Sequence, residues 1–117
     1  MTKSDISISQ AQSQVDQWIK EVGVRYFNEL SNMTILTEEV GELARLMVRQ
    51  YGEQSFKQPI SQEEIKIKIG EEIGDVFFVL VCLANQMSID LADVFEKGMI
   101  KRNTRDKHRH IKNQKLK

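Results

Sequence analysis

Two pentapeptides, Glu38-Glu39-Val40-Gly41-Glu42 and Glu71-Glu72-Ile73-Gly74-Asp75, follow one pattern 33 residues apart and set acids inside apolar helical stripes. In the first segment Leu36, Val40, Leu43 and Met47 define a stripe, and Glu39 falls within it. Glu42 shares a face with Ile35, Glu39 and Leu46. In the second segment Ile65, Ile69, Glu72, Val76, Val79 and Leu83 form one stripe, with Asp75 a turn beyond Glu72. Glu38 shares its face with Thr34, Arg45 and Arg49 and reads as solvent-facing. Four acids directed inward or to the rim from two helices require the helices to meet and the charges to be neutralised. Gly41 and Gly74 hold the same place in each motif, although a mid-helix Gly is about 1 kcal/mol worse than Ala. That cost points to close approach by the facing helix or by a ligand.

The rest of the chain is helical in pattern. Pro59 is the only proline and β-branched alternation is nearly absent. Ser9 and Gln12 read as a capping box opening a first helix through about Val22. Residues 23–30 then read as a connection. A second helix is expected from Ser31 to Tyr51, with Gly52 as its C′ residue. Ser61 and Glu64 read as the capping box of a third helix running to about Met87. A fourth, capped by Asp90, runs to about Asn103. Short connections between helices of these lengths predict an all-α, four-helix bundle-like fold. If the second and third helices pair antiparallel, Gly41 and Gly74 lie ~15 and ~18 Å from the turn between them, so the acidic motifs meet. Val76 to Leu83 is apolar on every side, which requires either a central helix or cover by a second copy; a homo-oligomer is expected.

The length of 117 residues fits one domain, placed at 1–107 with a basic tail at 108–117. The longest apolar run has nine residues, short of the ~20 that span a membrane. With no leader-like opening and a lone Cys82 inside that run, read as a buried, inert thiol, a cytoplasmic location is expected. The zero net charge conceals −7 over residues 1–100 (nine Lys/Arg, sixteen Asp/Glu) and +7 over 101–117 (eight Lys/Arg, one Asp). The tail reads either as a solvated terminus or as an electropositive segment for an anionic ligand. Binding to nucleic acid is not expected, because the acidic body repels phosphate backbones and no aromatic residues interleave the tail cations.

Crowded carboxylates need protons or cations between them. An all-oxygen donor set without nearby His or Cys suits Mg²⁺, or Mn²⁺ in its place. His108 and His110 lie in the tail, so the Glu-x-x-His motifs of di-iron bundles are missing. Carboxylate-held Mg²⁺ is the usual apparatus of phosphate chemistry. Lys101, Arg102, Arg105 and Lys107 supply cations for a polyphosphate, and Asn103 could hydrogen-bond a base or sugar. Trp18, Tyr26 and Phe27 could stack on a base, although core or lid packing is the favoured reading of each.

These motifs resemble those of the MazG-like, all-α nucleoside triphosphate pyrophosphohydrolases. The resemblance rests on Leu36-Thr37-Glu38-Glu39-Val40-Gly41-Glu42-Leu43-Ala44, on Glu71-Glu72-Ile73-Gly74-Asp75-Val76, and on Lys101-Arg102-Asn103. It implies Mg²⁺-dependent hydrolysis of (deoxy)nucleoside triphosphates to monophosphate and pyrophosphate by a homodimer or homotetramer, with a housecleaning role in the nucleotide pool. By the same resemblance Glu39, Glu42, Glu72 and Asp75 are metal ligands, and Glu38 and Glu71 support them or orient the attacking water. Lys101 and Asn103 face the nucleotide, with Arg102, Lys107 and Trp18 as further substrate contacts. The alternative is a non-catalytic, metal-stabilised helical module that senses a nucleotide or binds a partner.

Overall fold

A computed structural model describes residues 5–117 as helices and connections, with no strand among the described residues. The elements are α1 (Ile8–Glu21), α2 (Glu29–Tyr51), α3 (Gln62–Gln86), α4 (Leu91–Arg105), a short α5 (Lys107–Ile111) and a 3₁₀ turn at Gln114–Leu116. The four expected helices are present. The basic segment beyond residue 107 carries α5 and the 3₁₀ turn.

The caps explain the boundaries. Ser7, not Ser9, opens α1: its hydroxyl accepts from the Gln10 N–H (3.1 Å) while Gln10 Oε1 accepts from the Ser7 N–H (2.7 Å). The Ser9–Gln12 expectation fails because Gln12 is committed elsewhere. Its Nε2 donates to Asn85 Oδ1 and to the Ile89 carbonyl, and its Oε1 accepts from the Leu91 N–H, each at 2.9 Å. One side chain thus ties α1 to the α3–α4 junction. Asn28 caps α2 two residues earlier than expected. Ser61 caps α3 through the Glu64 N–H at 3.1 Å, and Asp90 caps α4. Gly52 ends α2 in extended backbone rather than in the left-handed C′ conformation. A Cβ there would lie 2.6 Å from the Val48 carbonyl oxygen, so close approach is what calls for glycine.

α2 and α3 form an antiparallel hairpin. Asn32 Nδ2 donates to Gln86 Oε1 (2.7 Å) at one end, and Gln50 Nε2 donates to Gln62 Oε1 (2.6 Å) at the other. α1 crosses α3, with Trp18 edge-on to Phe78 at 5.9 Å. At the base of that crossing the Tyr26 hydroxyl donates to Asp16 Oδ1 (2.7 Å) and accepts from Asn85 Nδ2 (3.1 Å). Burial and the facing Asp16 push the Tyr26 phenol up to about 12.

The core follows the α3 stripe: Ile65, Val79 and Leu83 are buried, with Ile69, Glu72 and Val76 half-buried. Cys82 is buried, and burial raises its thiol. The α2 stripe is rotated from the expected one. Val40 and Met47 are exposed, and Asn32, Ile35, Leu36, Glu39, Leu43 and Leu46 face inward. The all-round apolar segment divides in two. Val79 and Val81 to Ala84 are central, with Val81 wholly inaccessible, whereas Phe77 is 46% exposed and Ile73 and Leu80 are also open. The radius of gyration, 18.0 Å, exceeds the about 13 Å of a compact domain this long, because α4 packs chiefly on α1 and α5 and does not close over the hairpin.

Candidate metal centre

The hairpin register sets the two acidic motifs at one level. Glu39, Glu72 and Asp75 each present a carboxylate oxygen within 4.8 Å of the others. Glu39 and Glu72 are half-buried, and Asp75 lies on the exposed rim. Oε2 of Glu39 and Oε2 of Glu72 are buried with no hydrogen-bond partner. An unpartnered buried carboxylate oxygen costs its full desolvation, so two of them aimed into one cluster fit a cation or a shared proton. Burial, then the neighbouring Glu39 and Glu42 carboxylates, push Glu72 up to about 7. Glu42 therefore belongs to the electrostatic unit around Glu72, although its oxygens fall outside the tight trio. Three or four oxygen donors without His or Cys fit a hard divalent cation. Such an ion would be held by Glu39, Glu72 and Asp75, with Glu42 adjacent.

The close approach of a facing helix expected at the two glycines is not made within one chain. A Cβ at Gly41 or at Gly74 would meet no atom within 4 Å. Both residues lie on the open flank of the hairpin, away from the seam, because the seam runs through positions 39, 43, 72 and 76.

A cavity of about 350 Å³ adjoins the cluster on the side of the α2–α3 connection. Glu42, Glu71 and Glu72 line it from the acidic side; Arg45, Arg49 and Lys68 line it beyond them, and Phe56 of the connection closes in. Glu71 is thus at the cavity, whereas Glu38 is exposed and lines none of the described cavities. Sequence reasoning assigned Arg45 and Arg49 to the solvent face with Glu38 and made no use of Lys68. In the structure Arg49 is half-buried, and all three face this cavity. The usable signal was spacing: Arg49 stands seven residues after Glu42, and Lys68 four before Glu72, on the same two faces.

The remaining expected contacts lie elsewhere. Arg102, Asn103 and Lys107 line a separate cavity of about 630 Å³ at the α4–α5 corner, which none of the four cluster acids lines; Lys101 is exposed beside it. Asp106 anchors this corner. It is buried, accepts from Arg105 Nε (2.9 Å) and Nη2 (3.0 Å), and pairs with Arg109 at 3.5 Å. Arg105 holds the Asp106 carboxyl below its ordinary range. Trp18 is half-exposed on α1, against Phe78. None of Arg102, Asn103 and Lys107 therefore shares a described cavity with the four cluster acids.

No helix among the described residues is long and apolar enough to cross a membrane. The chain is 44% identical over 106 residues to the Bacillus subtilis protein YpjD, covering 91% of this chain and 92% of that protein. The crystal structure of YpjD from Bacillus subtilis superposes with a TM-score of 0.75 at 42% identity, covering 86% of this chain and 99% of that one. The crystal structure of the Bacillus-conserved MazG protein, a nucleotide pyrophosphohydrolase, gives a TM-score of 0.71 at 39% identity, covering 91% and 99%. Residues 27–110 match the MazG nucleotide pyrophosphohydrolase domain, a span that contains both acidic motifs and the α4–α5 corner. With the hairpin, the paired acids and most of its length accounted for in this way, the chain belongs to the MazG nucleotide pyrophosphohydrolase family.

Proposed function

We propose that this protein is a Mg²⁺-dependent hydrolase of (deoxy)nucleoside triphosphates, with Mn²⁺ able to substitute, releasing monophosphate and pyrophosphate to keep the nucleotide pool clean. The observation that carries this reading is the convergence of Glu39, Glu72 and Asp75 within 4.8 Å, with two buried oxygens unpartnered. A divalent cation bound there neutralises phosphate oxygens and lowers the pKa of a water beside it. Glu39, Glu72 and Asp75, with Glu42, hold and orient that ion. Glu71, at the cavity wall, accepts the proton of the attacking water; Glu38 on the outer face is the second candidate for that part. The water oxygen bonds to the α or β phosphorus, the bridging bond between them breaks, and pyrophosphate and monophosphate separate.

A homodimer or homotetramer fits this reading. The Ile73, Phe77 and Leu80 side chains are exposed, and the cavity that Arg102, Asn103 and Lys107 line is not the one that adjoins the carboxylate cluster. In an assembly, the Lys101, Arg102, Asn103 and Lys107 group of one copy would reach the nucleotide held by another. Anion-exchange analysis of a panel of canonical and damaged triphosphates with Mg²⁺ should yield monophosphate plus pyrophosphate. Running the reaction in ¹⁸O-water then assigns the attacked phosphorus. A blank panel, with Mg²⁺ still raising the melting temperature, would favour a non-catalytic nucleotide sensor. A monomer at micromolar concentration in sedimentation would contradict the assembly.

A further inference from the structure

Arg45, Arg49 and Lys68 line one cavity with Glu42, Glu71 and Glu72. Among the described residues none of the three cations forms an ion pair; the pairs present are Lys20–Asp16, Lys97–Asp93, Arg105–Asp106 and Arg109–Asp106. Arg49 is half-buried, so an unpaired guanidinium there loses hydration with no carboxylate in return. A planar guanidinium in that position is suited to an oxyanion.

Their order along the groove is informative. Arg45 and Arg49 follow Glu42 by three and seven residues, and Lys68 precedes Glu72 by four. Because the helices are antiparallel, both steps run toward the α2–α3 connection, about 5 Å per turn from the acids. The groove thus passes from a carboxylate tier to a cationic tier, and Phe56 of the connection bounds it at that end. A ligand that enters from the acidic tier meets the cations with its terminus.

We propose that Arg45, Arg49 and Lys68 form an anion subsite for the terminal pyrophosphoryl end of the substrate, beyond the phosphate held at the carboxylates. The subsite selects triphosphates over shorter phosphate chains and retains pyrophosphate after cleavage. It rests on the phosphohydrolase reading for its substrate, but its binding behaviour is measurable without turnover.

The test uses the full-length protein and inorganic pyrophosphate with Mg²⁺ as probe, by calorimetry, for wild type, each single Gln variant and the triple Arg45→Gln/Arg49→Gln/Lys68→Gln variant. Mn²⁺ binding alone should not weaken, since every ligand oxygen is kept and nearby positive charge is removed. Pyrophosphate affinity should fall about tenfold for each cation removed. KM for the triphosphate should rise with it, while inhibition by the monophosphate is unaltered. Arg49→Lys, which keeps the charge but not the planar fork, should restore part of what Arg49→Gln loses, and the salt dependence of pyrophosphate binding should flatten in the triple variant. Pyrophosphate affinity unchanged in the triple variant, or monophosphate weakened equally, would overturn the subsite. Wild type that binds pyrophosphate through these cations but turns over no triphosphate would instead sink the catalytic reading and leave the subsite standing. Helical content by circular dichroism confirms that each variant is folded.

Discussion

Titrating a divalent cation into this protein should expel a proton, and the amount should depend on pH in a way fixed by Glu72. Its carboxyl is pushed up to about 7 by burial and by Glu39 and Glu42. Without metal, that proton is the charge that lets the cluster close; the acids titrate as a coupled group, not singly. A cation replaces the proton, because only the ionised oxygens ligate well. At pH 6, below the raised value, the cluster should release most of a proton per site, and clearly less at pH 8. Calorimetric titration of Mg²⁺ or Mn²⁺ in two buffers of different ionisation enthalpy reads this number directly. Glu72→Gln should abolish the release and weaken the binding. The same shift acts on metal-free stability. Its folded value lies above the ordinary 4.5, so its contribution is complete below pH 4.5 and is lost as pH rises through about 7. The metal-free protein should therefore melt lower at pH 8 than at pH 5.5, and saturating Mg²⁺ should recover the difference. No proton release at pH 6 with cation clearly bound would refute the argument, since it would mean that Glu72 is already ionised or holds no metal.

Other consequences test separate parts of the structure. Glu42→Gln and Asp75→Asn should each abolish triphosphate turnover while raising the metal-free melting temperature, because like-charge repulsion falls; full metal-dependent activity in both would contradict the ligand set. Ile65 is buried at the start of α3, so Ile65→Ala should cost about 2–5 kcal/mol in urea unfolding with the slope unchanged. Asn85→Ala removes the donor to the Gln12 carbonyl and the Tyr26 hydroxyl and the acceptor for Gln12 Nε2, and should cost about 1–3 kcal/mol. A loss under 0.5 kcal/mol in that variant would mean that α1 is held to α3 by its apolar contacts alone.

Periodicity located the converging acids because Glu39 and Glu72 sit at core positions of helices whose other core residues are plainly apolar. It misplaced the α2 face by a fraction of a turn, since Val40 and Met47 are as apolar as Leu36 and Leu43 and nothing local shows which row meets α3. The cap of α1 was ambiguous for a related reason: Ser7 and Ser9 both precede a Gln by three, and only the distant bonds of Gln12 to Asn85 and Leu91 decide between them. Gly41 and Gly74 suggested close approach by a facing helix or a ligand, and one chain does not make the helix contact. The cations at Arg45, Arg49 and Lys68 passed for solvated surface, because charge spacing on one helix does not reveal a wall built from two.

All four cluster acids come from a single helical hairpin spanning residues 29–86. The Glu39–Glu42 pair and the Glu72–Asp75 pair are far apart while α2 and α3 are undocked and meet only as the hairpin zips. The acids therefore add an electrostatic cost to the docking of α2 on α3, beyond the smaller cost that each like-charged pair already places on its own helix. Protons at low pH, or a divalent cation at neutral pH, should lower that cost and speed refolding. The centre that reads here as machinery for phosphate would then also set when, during folding, the hairpin is allowed to close.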